Sequence, residues 1–427
     1  MKKKNLFGLS HIDPGHGKTR KQIEALLEQK QWGKNEGADE MLAVLDLLAN
    51  LDRHPYLNSI VMKESPVWAL AREFAQNFFA PPPDTNKMFA HLVAKYKWDE
   101  VSVYTIGLSN ATNALTAALQ AHDVVGKEVI TTSYNYAAAP NAIVAAGGIP
   151  KFADIDKETF CIDIASTLKR VNKNTAAIIV THVNQAIDLL PLLKGLEKSK
   201  QKIAIFQDAT AAIGCSSDGV GVGQLNPPPH GATIFSLGPT KVISGLGGAL
   251  LMTHDYEFLR KIESIAFYGL NPSNDEEILE FGNNYKMNEI SAVIALEQLK
   301  KKEDLILKRR QLKKMYDEAL KPLVKKGLVT LQKIVSDTDD IILTHYMVRL
   351  QKSYHSVMQK MATDFQIGLS HWYCYHQEPI YAIRFGTCKL PVTESLSDKI
   401  IFLPFHLELE KENVDYIVKC LSESLTG

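Results

Sequence analysis

Five short apolar runs, separated by stretches with helical periodicity, constrain the fold of this chain more than any other feature. They occupy residues 129–132, 176–183, 203–208, 233–236 and 248–253. Most of these runs are too apolar to keep one face in water, so helices must cover both sides of the sheet that they form. Alternating strands and helices predict an α/β fold with a mostly parallel sheet flanked by helices.

The pattern changes after this region. The elements predicted there are a long helix at 290–320, an alternating stretch at 341–350, a helix at 356–365, a strand at 400–403 and a helix at 412–421. We therefore predict an N-terminal helical extension (1–60), a large domain (61–300) and a smaller C-terminal α+β domain (301–427).

Charge and cysteine content narrow the possible functions. The chain has 48 Lys and Arg against 48 Asp and Glu, so it has no net charge to attract nucleic acid. The densest basic stretch, residues 300–314, carries regularly spaced apolar residues, which predicts the solvated face of a helix.

The five cysteines are scattered and form no CxxC pair, so neither a disulfide framework nor a metal site is expected. Cysteines of this kind favour a reducing, cytoplasmic location. Because no run of about 18 apolar residues is present, we expect no membrane partner.

Two glycine motifs do not predict the nucleotide sites that they resemble. Residues 15–19 read GHGKT, but the position that a P-loop needs as its first glycine is Ile12, and no predicted strand precedes it. Residues 219–223 alternate Gly and Val, but they lie close before three prolines, where no helix can begin. The Asp218-Gly219 pair predicts a β-hairpin instead.

Two charged residues suit the chemistry of an aldehyde cofactor. Lys241 follows a predicted strand and lies between Pro239 and a glycine-rich run at 244–248, where it could form a Schiff base. Asp208 ends another predicted strand, at the carboxyl edge where open α/β folds bind ligands. Pyridoxal phosphate requires a carboxylate beside its ring nitrogen. Taken singly, the lysine could be a solvated loop residue and the aspartate a helix cap.

Two further segments could serve the rest of that cofactor. Residues 108–114 place small and hydroxyl side chains at a helix start, where free amides favour a phosphate group, and Ser236 offers another hydroxyl. Residues 132–138 follow a strand and carry aromatic rings that could stack on the pyridine. A capped helix and a buried aromatic residue would explain the same patterns.

The segments SNATNAL, SYNYAAAPNAI, QDAT, FSLGPTK and FGNNYKMNEISAVIALEQL, in this order, resemble the DegT/DnrJ/StrS family of pyridoxal phosphate-dependent sugar aminotransferases, which have the aspartate aminotransferase fold type I. The resemblance runs from about Ser65 to the C-terminus. It implies that Lys241 is the Schiff-base lysine and moves the substrate proton, that Asp208 pairs with the pyridinium nitrogen, and that Tyr136 stacks on the ring. The residues that it implies for the phosphate are Ala111, Thr112 and Ser236, with Asn284 from the partner subunit of a homodimer.

The chain departs from the family pattern on the substrate side of the site. Ala211 and Ile213 stand where the family usually has Gln and His, and Lys286 stands where it has Arg. The segment after His182 is shortened, and His376 resembles a family position near the sugar. We therefore predict His182, Lys286 and His376 as substrate contacts, and an acceptor that is less hydroxylated or more apolar than the usual nucleotide-sugar.

The predicted function is transfer of an amino group, from glutamate as donor, to a keto-sugar, either nucleotide-linked or free. Two alternatives remain open. The first keeps the cofactor but catalyses elimination or condensation. The second is a non-catalytic regulatory protein of the same fold, although such a protein would not need both Lys241 and Asp208.

Overall fold

The computed structural model describes residues 65–78, 103–197, 201–335 and 342–426, together with Asp39, Ala43 and Val44. Apart from those three residues, the predicted N-terminal extension and the GHGKT motif lie outside the described part of the chain.

The strands are β1 (Tyr104–Leu108), β2 (Glu128–Thr132), β3 (Tyr134–Asn135), β4 (Ile149–Ala153), β5 (Thr175–Val183), β6 (Ala204–Ala211), β7 (Ser216–Ser217), β8 (Val220–Gly221), β9 (Ala232–Ser236), β10 (Ala249–Thr253), β11 (Leu270–Asn271), β12 (Asn274–Ile278), β13 (Val329–Leu331), β14 (Tyr346–Leu350), β15 (Tyr373–Cys374) and β16 (Ile400–Leu403). Seven of them form the central sheet, in the order β1-β10-β9-β6-β5-β2-β4. The pairs from β9 to β4 are parallel, which confirms the predicted sheet, whereas β10 is antiparallel to both neighbours.

The helices are α1 (Pro66–Phe78), α2 (Ala111–Ala121), α3 (Ala138–Ala145), α4 (Ile164–Arg170), α5 (Leu190–Leu196), α6 (Tyr256–Ala266), α7 (Glu289–Lys300), α8 (Lys302–Lys325), α9 (Tyr354–Phe365), α10 (Pro379–Phe385), α11 (Pro391–Leu396) and α12 (Lys411–Thr426). A 3₁₀ turn spans Tyr375–Gln377. Among the described residues, no helix is long and apolar enough to cross a membrane.

Apolar side chains fill both faces of the central sheet. Ile178 and Ile179 of β5 are both fully buried, but they belong to different clusters. Ile179 packs with Leu115 of α2 and Ile262 of α6, whereas Ile178 packs with Leu192 of α5. Because successive strand residues point to opposite faces, helices must cover the sheet on both sides, as the apolar runs predicted.

The long helix predicted over 290–320 is two helices. The backbone leaves the helical region at Lys301 (φ −98°, ψ 8°), which ends α7 and begins α8. Glu303 and Asp304 lie in the first turn of α8, where the helix dipole favours acidic residues. The charged-and-apolar pattern continues across the break, so periodicity alone could not show it. The predicted domain boundary at residue 300 falls at this break, and the domain division stays a prediction.

A second, smaller sheet lies in the C-terminal part. Strands β13, β14 and β16 pair antiparallel, and α8, α9 and α12 pack on them around Tyr316 and Val348. This arrangement is the α+β unit that the sequence predicted. The predicted hairpin is also present, because β7 and β8 pair around Asp218 (φ 53°) and Gly219 (φ 74°).

Candidate active site

Asp208 lies near the carboxyl end of β6, between Thr181 of β5 and Ile234 of β9 in the strand register. It is only 3% exposed, and the Thr210 N–H donates to its Oδ1 at 3.1 Å. Burial raises the pKa of Asp208, whereas hydrogen bonds from Thr210 and Thr181 and the charge of Lys241 oppose that rise. The carboxylate is therefore held in a low-dielectric position with donors already in place.

Lys241 lies in the turn after β9, at the same edge of the sheet. Its N–H donates to the Gly238 carbonyl at 3.0 Å, and the Leu237 N–H donates to the Gly248 carbonyl at 3.0 Å, which closes the loop. Gly248 has φ +92°, and a Cβ there would meet the Met287 side chain at 2.6 Å, so only glycine fits. Burial lowers the pKa of Lys241, and the charge of Asp208 partly restores it. The structure thus brings the two predicted residues together, and the lowered pKa favours the neutral, nucleophilic amine.

The start of α2 is fixed beside the lysine loop. Asn110 caps the helix by accepting from the Asn113 N–H at 2.9 Å. The neighbouring Ser109 carbonyl accepts from the Gly248 N–H at 3.0 Å, and the Ser109 N–H donates to the Tyr285 carbonyl at 2.7 Å. The predicted phosphate residues Ala111 and Thr112 therefore stand at a helix N-terminus that is tied to both other parts of the site.

The remaining predicted cofactor residues flank this edge. Ser236 ends β9, and its hydroxyl accepts from the Gly238 N–H at 3.3 Å. Tyr136 follows β3, and its side chain is 64% exposed. Its backbone N–H donates to the Asn135 side chain at 2.7 Å, which fixes the segment that carries the ring.

Asn284 and Lys286 lie on the segment that runs beside α2. Both residues are exposed, and their backbones bridge to Phe267 and Leu108, respectively. The Lys286 ammonium lies 3.9 Å above the centre of the Phe267 ring. Burial lowers the pKa of Lys286.

His182 does not join Asp208 and Lys241. It is 1% exposed; the Ile187 N–H donates to its Nδ1 at 3.0 Å, so Nε2–H donates to the Gln207 side chain at 3.1 Å. Gln207 precedes Asp208 in β6 and therefore points to the opposite face of the sheet. Burial lowers the pKa of His182 to about 4, which keeps the ring neutral. Both ring nitrogens of His182 therefore form hydrogen bonds within the chain.

His376 is also engaged within the chain rather than exposed. It is 3% exposed, and its backbone N–H donates to the Ser133 hydroxyl at 2.9 Å. The same hydroxyl donates to His376 Nδ1 at 2.7 Å, so Nε2–H points to Glu394 Oε1 at 3.1 Å. These contacts fasten the C-terminal part to the segment that follows β2.

Sequence reasoning missed Arg309 because it lies in the basic stretch that predicted a solvated face. Arg309 is 6% exposed on α8, and its Nη1 donates to the Leu343 carbonyl at 3.1 Å. Burial lowers the pKa of Arg309 to about 10. Its charge in turn lowers the pKa of Lys241 and of His345, which places all three within electrostatic reach of one another.

Asn184 was also missed. It has φ +61°, a conformation that asparagine tolerates, directly after β5. Its Oδ1 accepts from the Thr344 and His345 N–H groups at 3.0 and 3.1 Å, and its own N–H donates to the Ala211 carbonyl at 2.9 Å. The C-terminal part is thereby docked at the carboxyl ends of β5 and β6.

This donor set fits pyridoxal phosphate. A buried carboxylate is electrostatically coupled to a partly buried lysine, and a capped helix N-terminus and an exposed tyrosine stand at the same sheet edge. The fold and the site therefore define a pyridoxal phosphate enzyme with a mostly parallel α/β sheet. Residues 69–422 match the model of the DegT/DnrJ/EryC1/StrS aminotransferase family, and the chain belongs to that family. The predicted class, an aminotransferase with this cofactor, is confirmed.

The similarity to known proteins extends over most of the chain. A pleiotropic regulatory protein of Geobacillus stearothermophilus is 29% identical over 323 residues, which are 74% of this chain and 84% of that protein. NtdA from Bacillus subtilis with bound cofactor PMP has a TM-score of 0.74 and 21% identity, and covers 91% of this chain and 82% of that chain. Helicobacter pylori PseC, an aminotransferase involved in the biosynthesis of pseudoaminic acid, has a TM-score of 0.74 and 20% identity, and covers 91% and 96%. At such identities these structures show the shared fold.

Proposed function

We propose that this protein transfers an amino group from glutamate to the ketone of a sugar, with Lys241 as the reacting lysine. The observation that carries the proposal is the coupled pair of Lys241 and Asp208 at the carboxyl edge of the sheet. The family assignment supports amino transfer, and the involvement of PseC in the biosynthesis of pseudoaminic acid supports a sugar acceptor.

Each residue of the proposed site has a role that follows from its position. Pyridoxal phosphate, when bound, supplies the carbonyl that captures the substrate amine and the ring that withdraws electrons from the substrate carbon. Asp208 would stabilise the proton on the ring nitrogen, and Tyr136 would cover the ring. Lys241 Nζ would take the proton from the substrate carbon and hold it during the transfer; its lowered pKa favours the neutral amine that this proton abstraction needs. The Ala111 and Thr112 amides and the Ser236 hydroxyl would hold the phosphate.

The acceptor side of the site carries few polar groups where the family has Gln and His. Ala211 and Ile213 are 2% and 5% exposed, and Ile213 packs in the apolar cluster that contains Ile243. Lys286 offers an exposed point charge beside the start of α2. An acceptor with few ring hydroxyls and an anionic substituent, such as a nucleotide-linked deoxy-keto-sugar, satisfies both features. His182 and His376, whose ring nitrogens are already engaged, would act on the acceptor through their neighbours.

A homodimer with shared sites completes the proposal. Asn284 is exposed, so it can reach the phosphate of a partner subunit. The nearby residues Ile278, Leu279 and Phe281 are 71%, 51% and 100% exposed, an apolar patch of the kind that subunit contacts cover. We also propose a cytoplasmic location, since all five cysteines are free and a reducing compartment would keep them so.

The second candidate function is a regulatory role. It is favoured by the similarity to the Geobacillus stearothermophilus protein, which is described as a pleiotropic regulatory protein. Mixing the pyridoxal form with glutamate separates the candidates. An aminotransferase releases 2-oxoglutarate in one turnover and then needs a keto-sugar to continue, whereas a regulatory protein or an eliminating enzyme does not produce a stoichiometric amount of 2-oxoglutarate.

The direct test of the site is borohydride reduction followed by peptide mapping. The adduct is expected on Lys241, and a Lys241→Arg variant serves as the matched control that keeps the charge. An adduct on another lysine, or a wild-type protein that does not bind the cofactor, would contradict the proposal. The acceptor is then identified by mass spectrometry of glutamate reactions with a panel of keto-sugars.

A further inference from the structure

Asn135 is a buried polar residue that has no assigned role in the proposed amino transfer. It is 1% exposed, and its backbone pairs with Tyr373 in the β3–β15 ladder. Its Nδ2 donates to the Thr181 hydroxyl at 2.9 Å, and its Oδ1 accepts from the Tyr136 N–H at 2.7 Å. One side-chain amide therefore contacts both strand β5 and the segment that carries Tyr136.

The contact with Thr181 fixes the direction of a second hydrogen bond. A threonine hydroxyl has one proton, and its oxygen already accepts from Asn135. Thr181 lies directly opposite Asp208 in the β5–β6 register, so its hydroxyl proton, which Asn135 leaves free, faces the Asp208 carboxylate and opposes the rise of the pKa of that group. The order is therefore Asn135 to Thr181 to Asp208, with each group donating to the next.

Asn135 is itself held firmly from the C-terminal part. Next to it, the Ser133 carbonyl accepts from the Tyr375 N–H at 3.1 Å, and the Ser133 hydroxyl accepts from the His376 N–H at 2.9 Å. Ser133 and His376 are both buried. The amide of Asn135 thus has little freedom to turn away from its two partners.

We propose that Asn135 is a positioning residue that sets two cofactor contacts at once, by aiming the Thr181 hydroxyl at Asp208 and by fixing the backbone of Tyr136. This inference rests on the proposed function, in which Asp208 meets the ring nitrogen and Tyr136 covers the ring. An amide suits the position because it combines one donor and one acceptor on a short, rigid side chain.

The test combines two substitutions, Asn135→Leu and Thr181→Val, with their double variant. The readouts are the dissociation constant of pyridoxal phosphate, measured by titrating the apoprotein, and the pH midpoint at which the ring nitrogen of the bound cofactor loses its proton, measured by NMR of cofactor labelled with ¹⁵N in the ring. Asn135→Leu is expected to weaken cofactor binding on the order of ten-fold or more, because the carboxylate loses an aimed donor. The pH midpoint should move down, since a less well oriented carboxylate stabilises the protonated ring less.

Thr181→Val should move the pH midpoint in the same direction, and Thr181→Ser should restore it. Because Asn135 acts on Asp208 only through the Thr181 hydroxyl, the double variant should shift the midpoint no further than Thr181→Val alone. The matched control is Asn226→Leu. Asn226 is also buried and bonded, to Gln207 and Thr233, but it lies on the face of β6 opposite Asp208. This variant should lose stability without any shift of the midpoint.

Unshifted midpoints in both single variants, or shifts that add in the double variant, would overturn the inference. If Asn135→Leu does not fold, Thr181→Val and Thr181→Ser still decide the matter. These results differ from failure of the proposed function, which would appear as a wild-type protein that does not bind the cofactor or does not release 2-oxoglutarate from glutamate.

Discussion

Replacing Asp208 by asparagine should impair catalysis and stabilise the protein without its cofactor. The asparagine carbonyl can still accept from the Thr210 N–H, which now lies 3.1 Å from Oδ1. Its NH₂ group, however, cannot receive the ring N–H of the cofactor. A hydrogen bond to a charged acceptor contributes about 1.5–3 kcal/mol, which corresponds to about 10- to 150-fold in rate. We expect at least that loss in kcat/KM for glutamate.

Stability should change in the opposite direction. Burial raises the pKa of Asp208 in the folded protein above its ordinary value of 3.8, so the folded state holds the proton more tightly than the unfolded state. The carboxyl group therefore destabilises the apoprotein increasingly as the pH rises above the unfolded pKa. Asp208→Asn lacks this penalty, so its free energy of unfolding should exceed that of the wild type more at about pH 8 than at about pH 4.

Stopped-flow absorbance of the glutamate half-reaction measures the first effect, and urea denaturation of the apoprotein at the two pH values measures the second. Asp218→Asn, at an exposed position of the β7–β8 hairpin, is the matched control and should show neither effect. A loss of less than about ten-fold in kcat/KM would refute the reasoning on the ring contact. If the difference in free energy of unfolding between Asp208→Asn and the wild type does not increase with pH, the reasoning on burial is refuted.

Three further predictions concern other parts of the molecule. Lys241→Ala should lose about 10²- to 10⁴-fold in kcat, as for a removed acid/base group, and should give no borohydride adduct on mass mapping. Mixing inactive Lys241→Ala and Asn284→Ala chains should restore about a quarter of the sites by random pairing into dimers, measured as activity; a mixture that stays inactive would exclude shared sites. His122 Nδ1 contacts His230 Nδ1 at 2.9 Å, and burial lowers the pKa of His122 from 6.5 to about 4 and lowers that of His230. Wild-type stability should therefore fall as the pH decreases from 6.5 towards 4, and a His122→Gln variant should show a shallower fall in urea titrations; an equal fall would contradict this.

Sequence reasoning worked where one residue type has a strong local consequence. Buried runs predicted the strands of the central sheet that they occupy, and Asp218-Gly219 predicted the hairpin. Asp208 could be placed because it ends such a run, and Lys241 because glycines follow it. Lys301 could not be recognised as a helix break, because neither its side chain nor its neighbours are unusual there. Arg309 could not be recognised as buried, because its burial depends on contacts with a segment more than 30 residues away.

The two faces of β5 and β6 explain which candidate residues belong to the site. Thr181 and Asp208 point to one face, and their neighbours His182 and Gln207 point to the other. On the second face, the His182 nitrogens and the Gln207 amide are hydrogen-bonded within the chain, which leaves a neutral, rigid support. On the first face, the charges of Asp208 and Lys241 act on each other, the charge of Arg309 acts on Lys241, and burial shifts the pKa values of all three groups. Burying charge costs free energy, and shifted pKa values of this kind cluster at functional sites, so a shift of one residue along a strand separates a supporting position from one in the proposed site.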